Sequence, residues 1–193
     1  MGGVWLVRHG ATTAAEGLTI GSSDLPLSSA GIDQAESLAA ELAGRPLTRI
    51  FASDSLRARA TAEAIASVHR LRVEVDSRLR ELDFGAWEGR RLADLWVEDP
   101  DAAAAWDHDL WATPNSFGET LAQLEARVVA FWLESRPHSG GEVAVVAHRG
   151  SLAVLRALIT GASLKSVFGA AMNLGTATYM IVERGRDCGL LSP

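Results

Sequence analysis

Apolar residues in this chain come in short runs that stop abruptly at charged residues and glycine. Residues 4–7 are four apolar positions followed by Arg8, His9 and Gly10, which predicts a buried strand and then a turn. Across residues 28–43 the positions Ile32, Ala35, Leu38, Ala39 and Leu42 recur at helical spacing, with Ser28 or Ser29 placed to cap and Gly44 placed to stop the helix. Residues 49–52 predict a second strand, and residues 53–68 return to helical spacing behind a cap at Ser53 or Asp54. Residues 71–75 alternate as a third strand. Residues 141–147 form an almost continuous apolar run ending at His148, the pattern of a parallel strand covered on both faces. A helix over 151–159 and a last strand over 177–182 precede a loose tail.

Strands alternating with helices predict an α/β fold: a single three-layer domain over 1–193, with a largely parallel central sheet flanked by helices. Residues 90–136 read as an inserted helical segment near the mouth of the site. It contains Trp96, Trp106, Trp111 and Trp132 and is broken at Pro114, Asn115 and Ser116. The tryptophans fall at helical spacing, which favours core packing over a cofactor box.

Composition narrows the function. A formal net charge of −6 disfavours nucleic acid as a partner, because binding a phosphate backbone needs a basic surface. One cysteine, Cys188, excludes an internal disulfide framework and a cysteine-rich zinc site. No stretch reaches the roughly 20 apolar residues of a membrane helix, and no apolar leader core precedes Arg8, so a cytoplasmic location with no membrane partner is expected. Of the 18 basic residues all but Lys165 are arginine, a side chain suited to bidentate binding of oxyanions.

Open α/β sheets bind ligands at the carboxyl ends of their strands. The predicted strands end in Arg8-His9-Gly10, in Ser53-Asp54 with Arg57 a turn later, near Arg80-Glu81, and in His148-Arg149-Gly150. Two histidines, several arginines and a carboxylate thus converge on one rim. Such a cluster suits a phosphate, whose charge and tetrahedral shape use several donors at once. A neutral imidazole can attack phosphorus, and a carboxyl group can protonate the leaving oxygen. Chemistry alone leaves Glu81, Asp83 and Glu88 as candidates for that carboxyl.

The stretch Leu6-Val7-Arg8-His9-Gly10-Ala11-Thr12 resembles the signature of the histidine phosphatase superfamily, the phosphoglycerate mutase-like proteins. Further segments resemble the same family in the same order: Asp24-Leu25-Pro26-Leu27-Ser28 with Gly31 and Gln34, then Ser53-Asp54-Ser55-Leu56-Arg57-Ala58 with Thr61. Arg80-Glu81-Leu82-Asp83-Phe84-Gly85-Ala86-Trp87-Glu88-Gly89 and Val145-Val146-Ala147-His148 follow. The resemblance implies that His9 is the nucleophile, that Arg8, Arg57 and His148 bind the phosphoryl oxygens, and that Glu81 is the general acid and base. It implies no metal and no cofactor.

Two positions depart from the family pattern. Ala14, Ala15 and Glu16 stand where the family often has an asparagine, and Arg149 follows the second histidine where a small residue is usual, making Arg149 a candidate substrate contact. The expected function is a phosphatase that hydrolyses a small phosphorylated substrate through a phosphohistidine on His9. Length and the stretch over 114–120 resemble the smaller branch that includes α-ribazole phosphatases, which makes α-ribazole 5'-phosphate a candidate substrate. The rivals are phosphoglycerate mutase-type transfer and a non-catalytic protein that binds phosphorylated ligands.

Overall fold

The computed structural model describes residues 3–14, 17–108, 118–135, 141–171, 175–183 and 186–191. Six strands form one sheet in the order β3-β2-β4-β1-β5-β6: β1 (Val4–Arg8), β2 (Leu47–Ala52), β3 (Val73–Val75), β4 (Glu142–Ala147), β5 (Tyr179–Glu183) and β6 (Arg186–Leu191). The β1–β4, β2–β4 and β2–β3 pairings are parallel, and β1–β5 and β5–β6 are antiparallel. The most apolar run, β4, lies between β2 and β1, as a strand with both faces covered must.

Alternation along the strands divides the core in two. Val4, Leu6, Val143, Val145 and Ala147 face one layer, and Trp5, Val7, Ala144 and Val146 face the other. The second layer is α1 (Ser29–Leu42) and α2 (Leu56–His69), which contribute Leu38, Leu42, Ala58, Ala62 and Ile65. Opposite them pack α5 (Leu121–Ser135), α6 (Arg149–Thr160) and α7 (Leu164–Ala171), with Leu124, Val128, Phe131, Leu152 and Leu155 fully enclosed. The segment expected to be helical over 90–136 contains α3 (Leu92–Glu98), α4 (Pro100–His108) and α5. Leu95 and Ala103 anchor the two shorter helices. The expected break at Pro114, Asn115 and Ser116 lies outside the described residues.

Two sequence expectations need correction. In the tail expected to be loose, Arg186–Leu191 is a sixth strand that returns antiparallel onto β5. It has no period-two alternation to announce it, because an edge strand can be held by backbone pairing alone. The start of α2 is capped neither by Ser53 nor by Asp54. Ser55 is the N-cap residue, and the free N–H of Leu56 donates instead to Asp24 Oδ1 at 2.6 Å, a carboxylate brought from another loop. For α1, Ser28 caps as expected, its Oγ accepting from Gly31 N at 3.1 Å.

Candidate active site

Sheet register places the two histidines. Arg8 pairs with Ala147 across β1 and β4, so His9 and His148 are the next residues beyond the carboxyl ends of adjacent parallel strands. Their ring centroids are 5.0 Å apart, close to the spacing of neighbouring strands. The His9 backbone is held on both sides: its N–H donates to Ala147 O at 3.2 Å and its carbonyl accepts from Ala177 N at 3.0 Å. The following loop is fixed by Gly10 N donating to Thr61 Oγ1 at 3.1 Å and Ala11 N donating to Gln34 Oε1 at 2.8 Å. The loop packs tightly on the first turn of α1, where a Cβ on Gly31 would stand 1.9 Å from Ala11 O.

His9 is 8 % exposed, and its Nδ1 lies 2.8 Å from Gly10 O. A carbonyl only accepts, so Nδ1 carries the proton and Nε2 keeps its lone pair. Burial pushes the His9 pKa down to about 3, and the cations Arg57, Arg8 and Arg149 add to the effect, outweighing the Gly10 bond. His9 is therefore a neutral imidazole at pH 7, with Nε2 unprotonated. His148, 1 % exposed, is held well below its usual value by burial and by His9 and Arg57. It shares a 3.3 Å hydrogen bond between Nε2 and Ser55 Oγ.

Arg8, Arg57 and Arg149 bring positive charge to the same place. Burial, then Arg149, lower Arg8 to about 10, with Glu81 opposing and Arg57 reinforcing the change. Arg149, at the start of α6, is half-buried, and its charge acts on both Arg8 and His9. Arg57 is 1 % exposed. It donates from Nη1 to Ser23 O at 2.6 Å and from Nη2 to Gly21 O at 2.8 Å. Its Nε is buried with no hydrogen-bond partner among the described residues, the kind of donor an oxyanion satisfies.

The three candidate carboxylates occupy different positions. Glu88 accepts from the N–H groups of Gly21, Ser22 and Ser23 at 2.9, 2.8 and 3.3 Å and from Ser23 Oγ at 2.6 Å. It thereby shapes the loop whose carbonyls hold Arg57. Asp83 is exposed and accepts from Gly85 N at 2.9 Å and Ser22 Oγ at 3.3 Å. Glu81 Oε1 accepts from Leu82 N at 2.9 Å and from Gly150 N at 3.0 Å. Burial raises the Glu81 carboxyl above the usual range and outweighs those bonds and the attraction of Arg8 and Arg57. A cavity of about 530 Å³ opens beside it, lined in part by Ser22, Arg80, Asp83, Glu119 and Arg127.

The sequence-predicted residues His9, His148, Arg8, Arg57, Arg149 and Glu81 thus share one electrostatic neighbourhood. Ala14 is described, whereas Ala15 and Glu16 lie outside the described residues. Sequence reasoning missed Ser55, Glu88 as a loop organiser, Arg127 and Gly150. Gly150 could have been suspected from its place beside the second histidine.

The histidine phosphatase superfamily (branch 1) model matches residues 4–191. The chain belongs to the histidine phosphatase superfamily. As a histidine phosphatase it is a phosphoric monoester hydrolase, and it is 34 % identical over 160 residues to the adenosylcobalamin/alpha-ribazole phosphatase of Escherichia coli K12, covering 82 % of this chain and 79 % of the relative. The alpha-ribazole phosphatase structure from Shigella flexneri superposes with a TM-score of 0.82 at 30 % identity, covering 94 % of this chain and 90 % of that one. A mycobacterial glucosyl-3-phosphoglycerate phosphatase in complex with inorganic phosphate gives 0.77 at 31 % identity, with 94 % and 89 % covered. Among the described residues no helix of this histidine phosphatase is long and apolar enough to cross a membrane.

Proposed function

We propose that this histidine phosphatase hydrolyses a small phosphomonoester through a phosphohistidine on His9. The observation that carries the reading is the Nδ1 contact with Gly10 O in a buried ring, which leaves Nε2 unprotonated at neutral pH. Nε2 attacks phosphorus as the ester P–O bond breaks. Glu81, whose raised pKa favours the acid form, gives its proton to the leaving oxygen. Both of the shorter bonds to Glu81 end on Oε1, so Oε2 is the oxygen suited to carry that proton. Water then attacks the phosphohistidine, Glu81 takes the proton, and the N–P bond breaks to release phosphate and neutral His9. Arg8, Arg57 and His148 bind the phosphoryl oxygens, with Arg149 adding charge at the rim. The reaction so drawn uses no metal, and its substrate is proposed to be a small cytoplasmic metabolite ester.

Relatives named alpha-ribazole phosphatase support α-ribazole 5'-phosphate as the first substrate to test. The relative named for glucosyl-3-phosphoglycerate makes a phosphorylated sugar acid the second. The test is phosphate release from these esters and from p-nitrophenyl phosphate with EDTA present, comparing wild type with His9→Ala. Metal-independent turnover lost in the variant is expected, together with an acid-labile phosphoryl group on wild-type protein quenched during turnover. Near-normal turnover by His9→Ala would overturn the reading.

A further inference from the structure

Arg127, on α5, lines the cavity beside Glu81, where an arginine would ordinarily be taken for a substrate-binding cation. A guanidinium has five N–H donors. Here Nε and one Nη2 donor form a fork with Glu119 at 2.7 and 2.8 Å. The two Nη1 donors reach Arg78 O and Arg80 O, both at 2.7 Å, and the remaining Nη2 donor reaches Glu81 O at 2.8 Å. All five donors are engaged by protein, leaving none for a ligand.

Three of those acceptors are backbone carbonyls of the turn that delivers Glu81. Residues 80–84 form neither helix nor strand, so no backbone ladder fixes them. Glu119 completes the strap: its N–H donates to Asp83 O at 2.9 Å, and its Oε2 accepts from Asp83 N at 3.4 Å. The Glu81 carboxyl is steered by two backbone N–H groups, from Leu82 and Gly150, and both bonds require the 80–83 backbone to stay where Arg127 and Glu119 hold it.

We propose that Arg127, buttressed by Glu119, is a positioning residue that sets the Glu81 carboxyl for proton transfer to the leaving group, and is not a substrate ligand. The inference rests on the reading of Glu81 as general acid. Lysine cannot replace Arg127, because three donors on one nitrogen cannot span three carbonyls and a carboxylate fork.

The experiment measures kcat and KM of Arg127→Met, Arg127→Lys, Glu119→Gln and Glu81→Gln on p-nitrophenyl phosphate and on glycerol 2-phosphate, whose alkoxide leaving group needs a proton. Thermal melts are followed by circular dichroism. Both Arg127 variants are expected to lower kcat on glycerol 2-phosphate about 10- to 100-fold, a share of the effect of a general acid, with KM within about two-fold and the aryl ester within about three-fold. Glu119→Gln keeps the arginine and its carbonyl bonds, so it tests the strap should the Arg127 variants fold poorly. It is expected to show the same selectivity at smaller size. A raised KM with unchanged kcat would make Arg127 a substrate ligand and overturn the proposal. Equal losses on both esters in the Arg127 and Glu119 variants, while Glu81→Gln remains selective, would reduce the strap to scaffold and also overturn it. A non-selective Glu81→Gln would instead remove the general-acid reading, and this inference with it.

Discussion

The backbone N–H of Gly150 donates to the Glu81 carboxylate, at 3.0 Å to Oε1 and 3.2 Å to Oε2, across a separation of 69 residues. A Cβ at position 150 would stand 2.4 Å from Oε1 and 3.0 Å from Leu124 Cδ2. Gly150→Ala therefore moves the carboxyl without deleting it. A fall in kcat on alkyl phosphates of about ten-fold or more is expected, because small misplacements of a proton donor are costly. Steady-state kinetics on glycerol 2-phosphate check it, and unchanged kcat would mean that Glu81 tolerates displacement.

The buried histidines tie stability to pH. The folded-state pKa of His9 is pushed down to about 3, below the roughly 6.5 of an unfolded chain, and that of His148 is also lowered. Between those values the unfolded state binds more protons, so their contribution is present above pH 6.5 and is lost as pH falls. Glu81, with its raised pKa, acts in the opposite sense: its contribution is full below the unfolded carboxylate value and is lost as pH rises through the folded one. Urea midpoints should fall from pH 7 to pH 5, and His9→Gln should flatten that dependence. An equally steep dependence in the variant would place the protonation elsewhere.

Glu88 reaches the proposed phosphate site through Arg57. Its carboxylate collects three backbone N–H groups of the 21–23 loop, and two carbonyls of that loop accept from Arg57. Glu88→Ala should release the loop and weaken competitive inhibition by inorganic phosphate about ten-fold, the loss of one charge-assisted bond's worth of positioning. Inhibition constants unchanged within two-fold, on the scale of about 0.4 kcal/mol, would show that Arg57 keeps its place unaided.

Much of this site was legible in the sequence because each histidine follows an apolar run that had to be a buried strand. What periodicity could not supply was adjacency. Nothing in residues 4–8 or 142–147 says that their strands are neighbours in the sheet, yet that pairing sets the distance between His9 and His148. Arg127 escaped notice because its partners are mainly carbonyls, which every residue possesses, and Gly150 because its constraint comes from a carboxylate far away in sequence. The sixth strand was hidden for a similar reason, since Arg186, Asp187 and Gly189 have little apolar patterning and the strand rests on backbone pairing with β5.

Two glycines separate close packing from mere flexibility. Gly31 lies where a Cβ would meet Ala11 O at 1.9 Å, whereas a Cβ on Gly44 would meet nothing within 4 Å. Gly31→Ala should cost about 1–3 kcal/mol through overpacking against rigid backbone and should disturb the loop after His9. Gly44→Ala should be neutral or stabilising by up to about 1 kcal/mol, through the unfolded state. Denaturant unfolding of the pair provides the measurement, and equal effects would contradict the packing argument.

The place of β1 also dictates when the enzyme can come into being. The strand β1, which leads into His9, precedes the other five strands in chain order, yet it lies between β4 and β5, pairing Val4 with Val143 and with Val182. Its contacts close very long loops, the kind of topology that folds slowly and leaves partly made chains exposed. A nascent chain therefore holds β1 without these neighbours until residues 142–183 have been made. His9 and His148 therefore come together only after β4 has been made, and chaperone engagement during synthesis should centre on β1 while it is unpaired.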